Sequence, residues 1–357
     1  MGRDFKSRPN TSEIPNTSEI LRRAGFDRII GQDLAKRVLI RASSPTHAYL
    51  FLGMQGTGKT TTALEFAKAL NCESPRDGHA CGECVTCRAI EHGNFPDISL
   101  ISPEKGKQDT SIDQMREMRL LAMYAPLRGR WKVNIIEQAD TLNESSANCI
   151  LKLVEEPPGY LVNILIFRNA ASILPTIRSR CQLIRFTQVS TAELASRLVE
   201  DFGVEPANAE FLAAYSQGCP GRAIDMIGND AFFARRDELI AAAAVAGSGR
   251  PWAALKLAEI VRKSDENKSG RDTVVESLDI LTVWYRDLLA AKLQGENASV
   301  VNLDKSDEIK AQAGRYPHAG HLANAIEAML HAKRAVLGNA NPQITTEALM
   351  MRLAAGR

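Results

Sequence analysis

Residues Gly53–Thr60 read GMQGTGKT and fit the pattern G-x-x-x-x-G-K-[ST]. The glycines within it let a backbone turn so that its N–H groups point at phosphate oxygens. Lys59 can reach the outer phosphates of a nucleotide, and the Thr60 hydroxyl can ligate Mg²⁺. The alternative is a glycine-rich turn that binds nothing. Because a strand pattern precedes the loop and a helix pattern follows it, we predict binding of ATP or ADP with Mg²⁺. The predicted ligands are Gly53, Gly56, Thr57, Gly58, Lys59, Thr60 and Thr61.

A second polar site lies within residues 132–143, which read KVNIIEQADTLN, where a strand pattern runs into a polar turn. In proteins that hydrolyse ATP with such a loop, an acidic residue after a neighbouring strand holds the magnesium ion. Glu137 occupies this place, but the next residue is Gln138, whose amide can orient water and cannot accept its proton. Loss of a general base lowers a rate by roughly 10²–10⁴. Asp140 lies two residues further on, and we expect it to point elsewhere. The sequence therefore predicts a site that binds ATP and hydrolyses it poorly or not at all, and whether the chain is an enzyme stays open.

Four of the seven cysteines lie close together with the spacing C-x8-C-x2-C-x2-C, namely Cys72, Cys81, Cys84 and Cys87. Four thiolates suit tetrahedral Zn²⁺ with no open position, so the predicted metal is structural. The insertion that carries them, residues 72–95, is too polar to fold around a core of its own, and a metal would supply that energy. Two disulfides or reactive thiols are the alternatives. His79 and His92 are spare ligand candidates that we expect to be exposed.

Two arginines lie at positions where a bound anion would explain the presence of a positive charge. Arg180 stands at the head of the last predicted strand, and an arginine at a sheet edge can act as a finger on a neighbour's nucleotide. On its own, a surface arginine is more often simply solvated. Arg222 falls in the first turn of a predicted helix, where a positive charge opposes the helix dipole. A nearby phosphate would account for it, and a plain surface charge is the alternative.

The elements that must position these residues alternate between strands and helices. The predicted strands are Ala48–Gly53, Asp97–Ser102, 132–137, Val162–Phe167 and Cys181–Phe186. The predicted helices between them are Thr60–Leu70, Ser111–Tyr124 and Ser145–Glu156. Such alternation indicates a parallel sheet with helices on both faces. After about residue 188 only helix patterns occur. The buried side of one of these predicted helices is marked by Val274, Leu278, Leu281, Tyr285 and Leu288.

These patterns divide the chain into four parts. Residues 1–20 form a tail with a tandem PNTSEI repeat, and residues 21–187 form a nucleotide-binding α/β core with the cysteine insertion at 72–95. We predict one helical part over residues 188–246 and another over residues 247–357.

Composition limits the class of protein. The chain has 357 residues and a net charge of +2, so contact with nucleic acid would need a local patch. No apolar run approaches the ~20 residues of a membrane helix. The first residues lack the apolar centre of a signal peptide, and we therefore predict a cytoplasmic protein. We find no carboxylate cluster of the kind that two-metal polymerases and nucleases use.

Most of residues 26–187 resembles the bacterial replication clamp loaders of the AAA+ family. The matching segments are FDRIIGQ, HAYLFLG, GTGKT, CGECVTCRAIEHGNFPD, SIDQMREMR, GRWKVNIIEQAD, ANCILKLVEEPP and LPTIRSRCQ. The resemblance implies that residues 188–246 are a helical lid and that residues 247–357 are a helical collar that serves oligomerisation. It further implies that Ile29 and Ile30 line an adenine pocket. It also implies that Arg222 contacts nucleotide in its own chain, while Arg180 reaches the ATP of an adjacent motor subunit.

Within this family the chain resembles the delta-prime branch more than the gamma/tau motor branch, because its acidic pair is degraded. The resemblance implies a hetero-pentamer with gamma/tau and delta subunits that loads the sliding clamp on primed DNA, as part of a DNA polymerase (nucleotidyltransferase) holoenzyme. One alternative is a gamma/tau-type motor that hydrolyses ATP despite Gln138. Another is a zinc-dependent nucleic-acid-binding module, but the mixed charges of the insertion make a poor phosphate-binding surface.

Overall fold

The computed structural model describes residues 25–42, 44–103, 110–246, 251–263, 270–295 and 298–355. The predicted N-terminal tail with its PNTSEI repeat lies outside the described residues. The chain divides into two compact units, with the boundary between Ile227 and Gly228. The predicted division into lid and collar at residue 246 stays a prediction.

The first unit is built on a five-stranded parallel sheet. Its strands are β1 Ala48–Leu52, β2 Ile98–Ile101, β3 Lys132–Ile136, β4 Leu161–Phe167 and β5 Gln182–Arg185. They lie side by side in the order β2-β3-β4-β1-β5. All residues of β3 and β4 are buried, as expected for parallel strands covered on both faces. The register pairs Leu52 with Phe167 and Ile136 with Leu165.

Helices cover both faces of this sheet. The helices of the α/β part are α1 Asp33–Ile40, α2 Lys59–Asn71, α3 Val85–Glu91, α4 Ile112–Ala122, α5 Glu144–Glu155 and α6 Pro175–Arg178. Alternate residues of β1 point to opposite faces: Tyr49 and Phe51 join the cluster that contains Phe66 of α2, whereas Leu50 joins the one that contains Met115 of α4. The predicted parallel sheet with helices on both faces is confirmed.

Local signals account for where several helices begin and end. Ser111 and Gln114 form a capping box at the start of α4, and the Asn143 side chain accepts a bond from the Ser146 amide at the start of α5. Pro157 lies two residues after the last residue of α5, as expected of a residue that cannot continue a helix. Three more helices complete the unit: α7 Thr191–Phe202, α8 Pro206–Tyr215 and α9 Pro220–Asp225.

The described residues of the second unit form helices and the turns between them, with no strand. It contains α10 Asp230–Ala246, α11 Pro251–Arg262, α12 Gly270–Gln294, α13 Ser306–Ala313, α14 Ala319–Leu337 and α15 Pro342–Ala355. Helix α12 packs against α10, α11, α13 and α14. The residues predicted to mark its buried side are all buried. No helix among the described residues combines the length and apolar character that crossing a membrane requires.

Candidate nucleotide-binding site and cysteine cluster

The predicted phosphate-binding loop lies between the end of β1 and the start of α2. The amide of Gly53 donates to the carbonyl oxygen of Phe167, 3.2 Å away, so the loop starts beside the end of β4. Gly56 and Gly58 have φ values of 83° and 87°. Only glycine adopts such left-handed conformations without strain, which explains why the loop needs glycine at both places.

The ammonium group of Lys59 is bonded to its own loop. Its Nζ donates to the carbonyl oxygens of Gly53 and Met54 at 2.7 and 2.6 Å. The residue is only 6% exposed. Burial lowers the pKa of Lys59 to about 8; the positive charge of Arg168 lowers it further, and Asp140 opposes the shift. Lys59 therefore titrates much closer to neutral pH than an ordinary lysine.

Thr60 and Glu137 meet at the edge of the sheet. The Thr60 hydroxyl donates to Glu137 Oε1 at 2.6 Å, so both predicted magnesium ligands lie at one point. Gln138 has a left-handed backbone with φ 51°, and its carbonyl oxygen accepts bonds from the amide and the hydroxyl of Thr141. The hydroxyl oxygen of Thr60 and the carboxylate oxygen of Glu137 fit Mg²⁺, because oxygen atoms of this kind are the ligands that this ion prefers.

Two helical segments pack near the loop. The Gly221 amide at the start of α9 donates to the Gly56 carbonyl oxygen at 2.7 Å. A Cβ added to Gly56 would lie 2.9 Å from Cγ of Arg222, so the predicted Arg222 is beside the loop. A Cβ added to Gly58 would lie 3.9 Å from Cγ2 of Ile29. Ile29 and Ile30 are 4% and 6% exposed.

Two further charged residues lie at this edge: Arg168, for which the sequence predicted no role, and Asp140, which we expected to point elsewhere. Arg168 directly follows β4, and its amide donates to Oδ1 of Asp140 at 3.2 Å. The Asp140 carboxylate thus lies beside the end of β4, and both charges act on the pKa of Lys59. Their positions carry a signal, because Arg168 directly follows β4 and Asp140 lies in the short helical turn after the neighbouring β3.

Arg180 makes contacts within its own segment. Its guanidinium lies 3.2 Å from Oε1 of Glu155 and donates to the carbonyl oxygen of Thr176 at 3.1 Å. The Arg180 side chain is 40% exposed. A surface ion pair of this kind is worth at most about 1 kcal/mol, so the side chain can leave Glu155 at little cost.

The four predicted metal ligands converge. The Sγ atoms of Cys72, Cys81, Cys84 and Cys87 all lie within 4.8 Å of one another. Three of them accept amide bonds: Cys72 from Cys81, Cys81 from Cys84, and Cys84 from Cys87, at 3.3–3.4 Å. Burial raises the pKa of Cys81, but the amides of Cys84 and Glu83 outweigh it and lower the value to about 7. Four close sulfurs with amide donors around them fit tetrahedral Zn²⁺.

Charged and aromatic contacts attach the cysteine insertion to the α/β part of the unit. Glu91 of α3 pairs with Lys68 of α2 and with Arg28, and these two cations also bond to the buried Glu65. The ring of His79 packs edge-on against Phe26, with centroids 5.7 Å apart. The insertion is thus bonded both to the helix that follows the phosphate loop and to the segment that contains Ile29.

The fold and the site define a class: a P-loop α/β protein with a cysteine insertion and helical additions. Sequence profiles described as "DNA polymerase III, delta subunit" and "DNA polymerase III, delta subunit, C terminal" match residues 33–190 and 230–355. DNA polymerase III subunit delta' of Bacillus subtilis is 30% identical over 315 residues, which are 87% of this chain and 92% of that protein. The delta' subunit of Pseudomonas aeruginosa is 38% identical over 176 residues, 49% of this chain and 53% of that protein.

A tau subunit is also similar to this chain. DNA polymerase III subunit tau of Bacillus subtilis is 32% identical over 207 residues, which cover 56% of this chain but only 36% of tau. The similarity to the Bacillus delta' subunit, in contrast, extends over nearly the whole length of both proteins. The chain belongs to the family of DNA polymerase III delta' subunits.

Proposed function

We propose that this chain is a stationary subunit of the replicative clamp loader, one that binds ATP or ADP with Mg²⁺ and hydrolyses it weakly or not at all. The observation that carries the proposal is Gln138, which stands directly after Glu137 where a water-activating carboxylate would be needed. Lys59, Thr60 and Glu137 can still hold phosphates and magnesium. These groups support binding of ATP without its hydrolysis.

The proposed partners are gamma/tau motor subunits and a delta subunit, joined in a hetero-pentamer in the cytoplasm that loads a sliding clamp on primed DNA. Arg180 would serve the neighbouring motor subunit by contacting its ATP. The exposure of Arg180 and its weak tie to Glu155 support this role. The cysteine cluster would hold a structural Zn²⁺ that fixes the insertion.

The test compares the isolated chain with the assembled loader. The pure chain should bind ATP and release almost no phosphate, while its addition to tau and delta subunits should allow co-purification and clamp loading. Lys59→Ala should abolish nucleotide binding by the pure chain.

A gamma/tau-type ATPase is the second candidate, and the similarity to tau favours it. In that case the isolated chain would turn over ATP at rates typical of enzymes, and Lys59→Ala would abolish the turnover. Brisk phosphate release by the pure chain would therefore select this candidate against the first.

The affinity for ATP is expected to fall as the pH rises above about 8, by up to about tenfold per pH unit. Burial and Arg168 lower the pKa of free Lys59 to about 8. Bound phosphates favour the charged ammonium, so below this pKa the lysine is already protonated, and above it binding must take up a proton. Titration with a fluorescent ATP analogue at pH 7, 8 and 9 measures the effect.

The matched control is Lys59→Arg, whose guanidinium stays charged over this whole range and should show a flatter profile. An equal affinity of the wild-type chain at pH 7 and 9 would contradict the assignment of the titration to Lys59.

A further inference from the structure

Four charged side chains meet between the cysteine insertion and the helix that follows the phosphate loop. Nη1 of Arg28 donates to Oε1 of Glu65 and to the carboxylate of Glu91, each at 3.0 Å. Lys68 bonds to the same two carboxylates. Glu65 and Lys68 are buried, and only 18% of the Arg28 side chain is exposed. We call these four residues the ion network.

Three separate parts of the chain supply the ion network. Two of its members lie on α2, which starts at the phosphate loop, and Glu91 is the last residue of α3 in the cysteine insertion. Arg28 ends the short helical turn Gly25–Arg28 and comes directly before Ile29. Arg28 is therefore the member that ties the segment of Ile29 both to α2 and to the insertion.

The segment before Ile29 also packs between these two structures. Phe26 is buried in one apolar cluster with Ile29 and with Phe66 of α2. On its other side, the ring of His79 in the insertion packs edge-on against Phe26. A Cβ added to Gly25 would lie 3.2 Å from Cβ of His79, so the backbone itself approaches the insertion closely. The position of this segment thus depends on α2 and on the insertion together.

Ile29 lies at the rim of the phosphate loop. Gly58 is the N-cap of α2, and Cγ2 of Ile29 lies 3.9 Å from the position of a Cβ added there. Phosphates bind to the amides of such a loop, so the rest of a nucleotide must extend past its rim. A buried apolar side chain at this place suits the flat face of a base and offers nothing to a bare phosphate chain.

The ion network contributes geometry more than stability. Desolvation of charged groups offsets much of the attraction between them, so a buried ion network adds little to the free energy of folding compared with apolar residues of similar size. Its hydrogen bonds are directional, and all of them are made together only in one arrangement of the three parts. In that arrangement the distance between Arg28 and α2 is fixed, and with it the place of Ile29 beside the loop.

We propose that Arg28 is a positioning residue for base binding, through which the cysteine insertion keeps Ile29 at the rim of the phosphate loop. This inference rests on the proposed nucleotide binding. The ion network then raises the affinity for a whole nucleotide and leaves the affinity for its phosphate chain unchanged. The insertion acts on the nucleotide site through Arg28.

The test is calorimetric titration of the full-length chain with ATP and with inorganic tripolyphosphate, both in the presence of Mg²⁺. Arg28→Met should weaken ATP binding about tenfold, as loss of a residue that orients a binding group does, and change tripolyphosphate binding by less than about twofold. Both glutamates keep Lys68 as a partner in this variant, so the fold should persist. Glu91→Gln alters the insertion side of the network and should give the same selective loss.

The matched control is Arg37→Met, because Arg37 is exposed on α1 and donates to the carbonyl oxygen of Asp33. This variant should keep both affinities. The variant with both Arg28→Met and Glu91→Gln should lose little more than the larger single loss, since the two residues act in one network. Additive losses would mean that they act separately and would overturn the role of the insertion.

Equal losses of affinity for ATP and tripolyphosphate, or no loss for ATP, would overturn the positioning role and leave nucleotide binding intact. A wild-type chain that binds ATP no more tightly than tripolyphosphate would overturn it too, because there would be no base contact to position. If the wild-type chain binds neither compound, the nucleotide function and this inference both fail. Unfolding followed by circular dichroism checks each variant, and Glu91→Gln decides the outcome if Arg28→Met does not fold.

Discussion

Replacing Arg180 with alanine is expected to slow ATP hydrolysis at the neighbouring motor site of the assembled loader by about 10³-fold or more, the range found for arginines that act on a partner's nucleotide. The reason is that a guanidinium delivered from outside neutralises the charge that develops on the transferred phosphoryl group. The measurement is the DNA-stimulated ATPase of a loader assembled from wild-type tau and delta subunits with the variant chain.

The structure makes this test specific. Arg180 bonds to Glu155 and Thr176 at the surface, so its removal should cost the fold at most about 1 kcal/mol. Arg178 lies two residues earlier at the end of α6 and is also exposed, which makes Arg178→Ala the matched control. That variant should keep the ATPase rate. An Arg180→Ala loader with the full wild-type rate, at equal assembly, would exclude the finger role.

The sheet and the loop were predictable because their signals are local. Buried parallel strands appear as apolar runs bounded by polar turns, and the sequence pattern of the loop itself specifies where its glycines lie. The predicted strands agree with β1 to β5 to within one residue at each end. The four cysteines were predictable for the same reason, since three of them lie within seven residues.

The charges around Lys59 were not predictable in this way. Arg168 and Asp140 reach the loop only because β4 lies between β1 and β3, and the strand order cannot be read from any one segment. The expectation that Asp140 points elsewhere rested only on its position two residues after Gln138. The left-handed backbone of Gln138 and the short helical turn after it set the direction of the Asp140 side chain, and neither is visible in the residue spacing.

Contacts between distant segments explain a second set of residues that the sequence left unassigned. Lys68 is 5% exposed and bonds to Glu65 and Glu91, which places the end of the cysteine insertion against α2. Buried charges need such partners, because desolvation of an unpaired ammonium costs several kcal/mol. Nothing in the spacing of these residues indicates that they meet. The spacing predicts a metal site, and the structure shows that ion pairs join the insertion around this site to α2.

Replacing Cys84 with serine is expected to release the proposed zinc ion and to lower the Tm of the chain by roughly 10 °C, because structural zinc contributes several kcal/mol or more to the folding of small modules. Wild-type protein should contain about one zinc ion per chain, as a closed site with four sulfur ligands requires. Metal content by mass spectrometry and unfolding followed by circular dichroism measure the two effects.

Serine at this position separates the loss of the metal ligand from any loss of the helix cap. Cys84 is the N-cap of α3, where its sulfur accepts the Cys87 amide, and serine is a favoured N-cap that preserves this bond. Cys181→Ser is the matched control, since Cys181 lies outside the cluster and burial raises the pKa of its thiol to about 11. A chelator should lower the Tm of wild type and Cys181→Ser but leave Cys84→Ser unchanged. The contrary outcome is a chain that holds no metal, does not respond to the chelator and loses stability when a reductant is added. This outcome would indicate disulfides, because a reductant breaks S–S bonds and leaves a zinc–thiolate site intact.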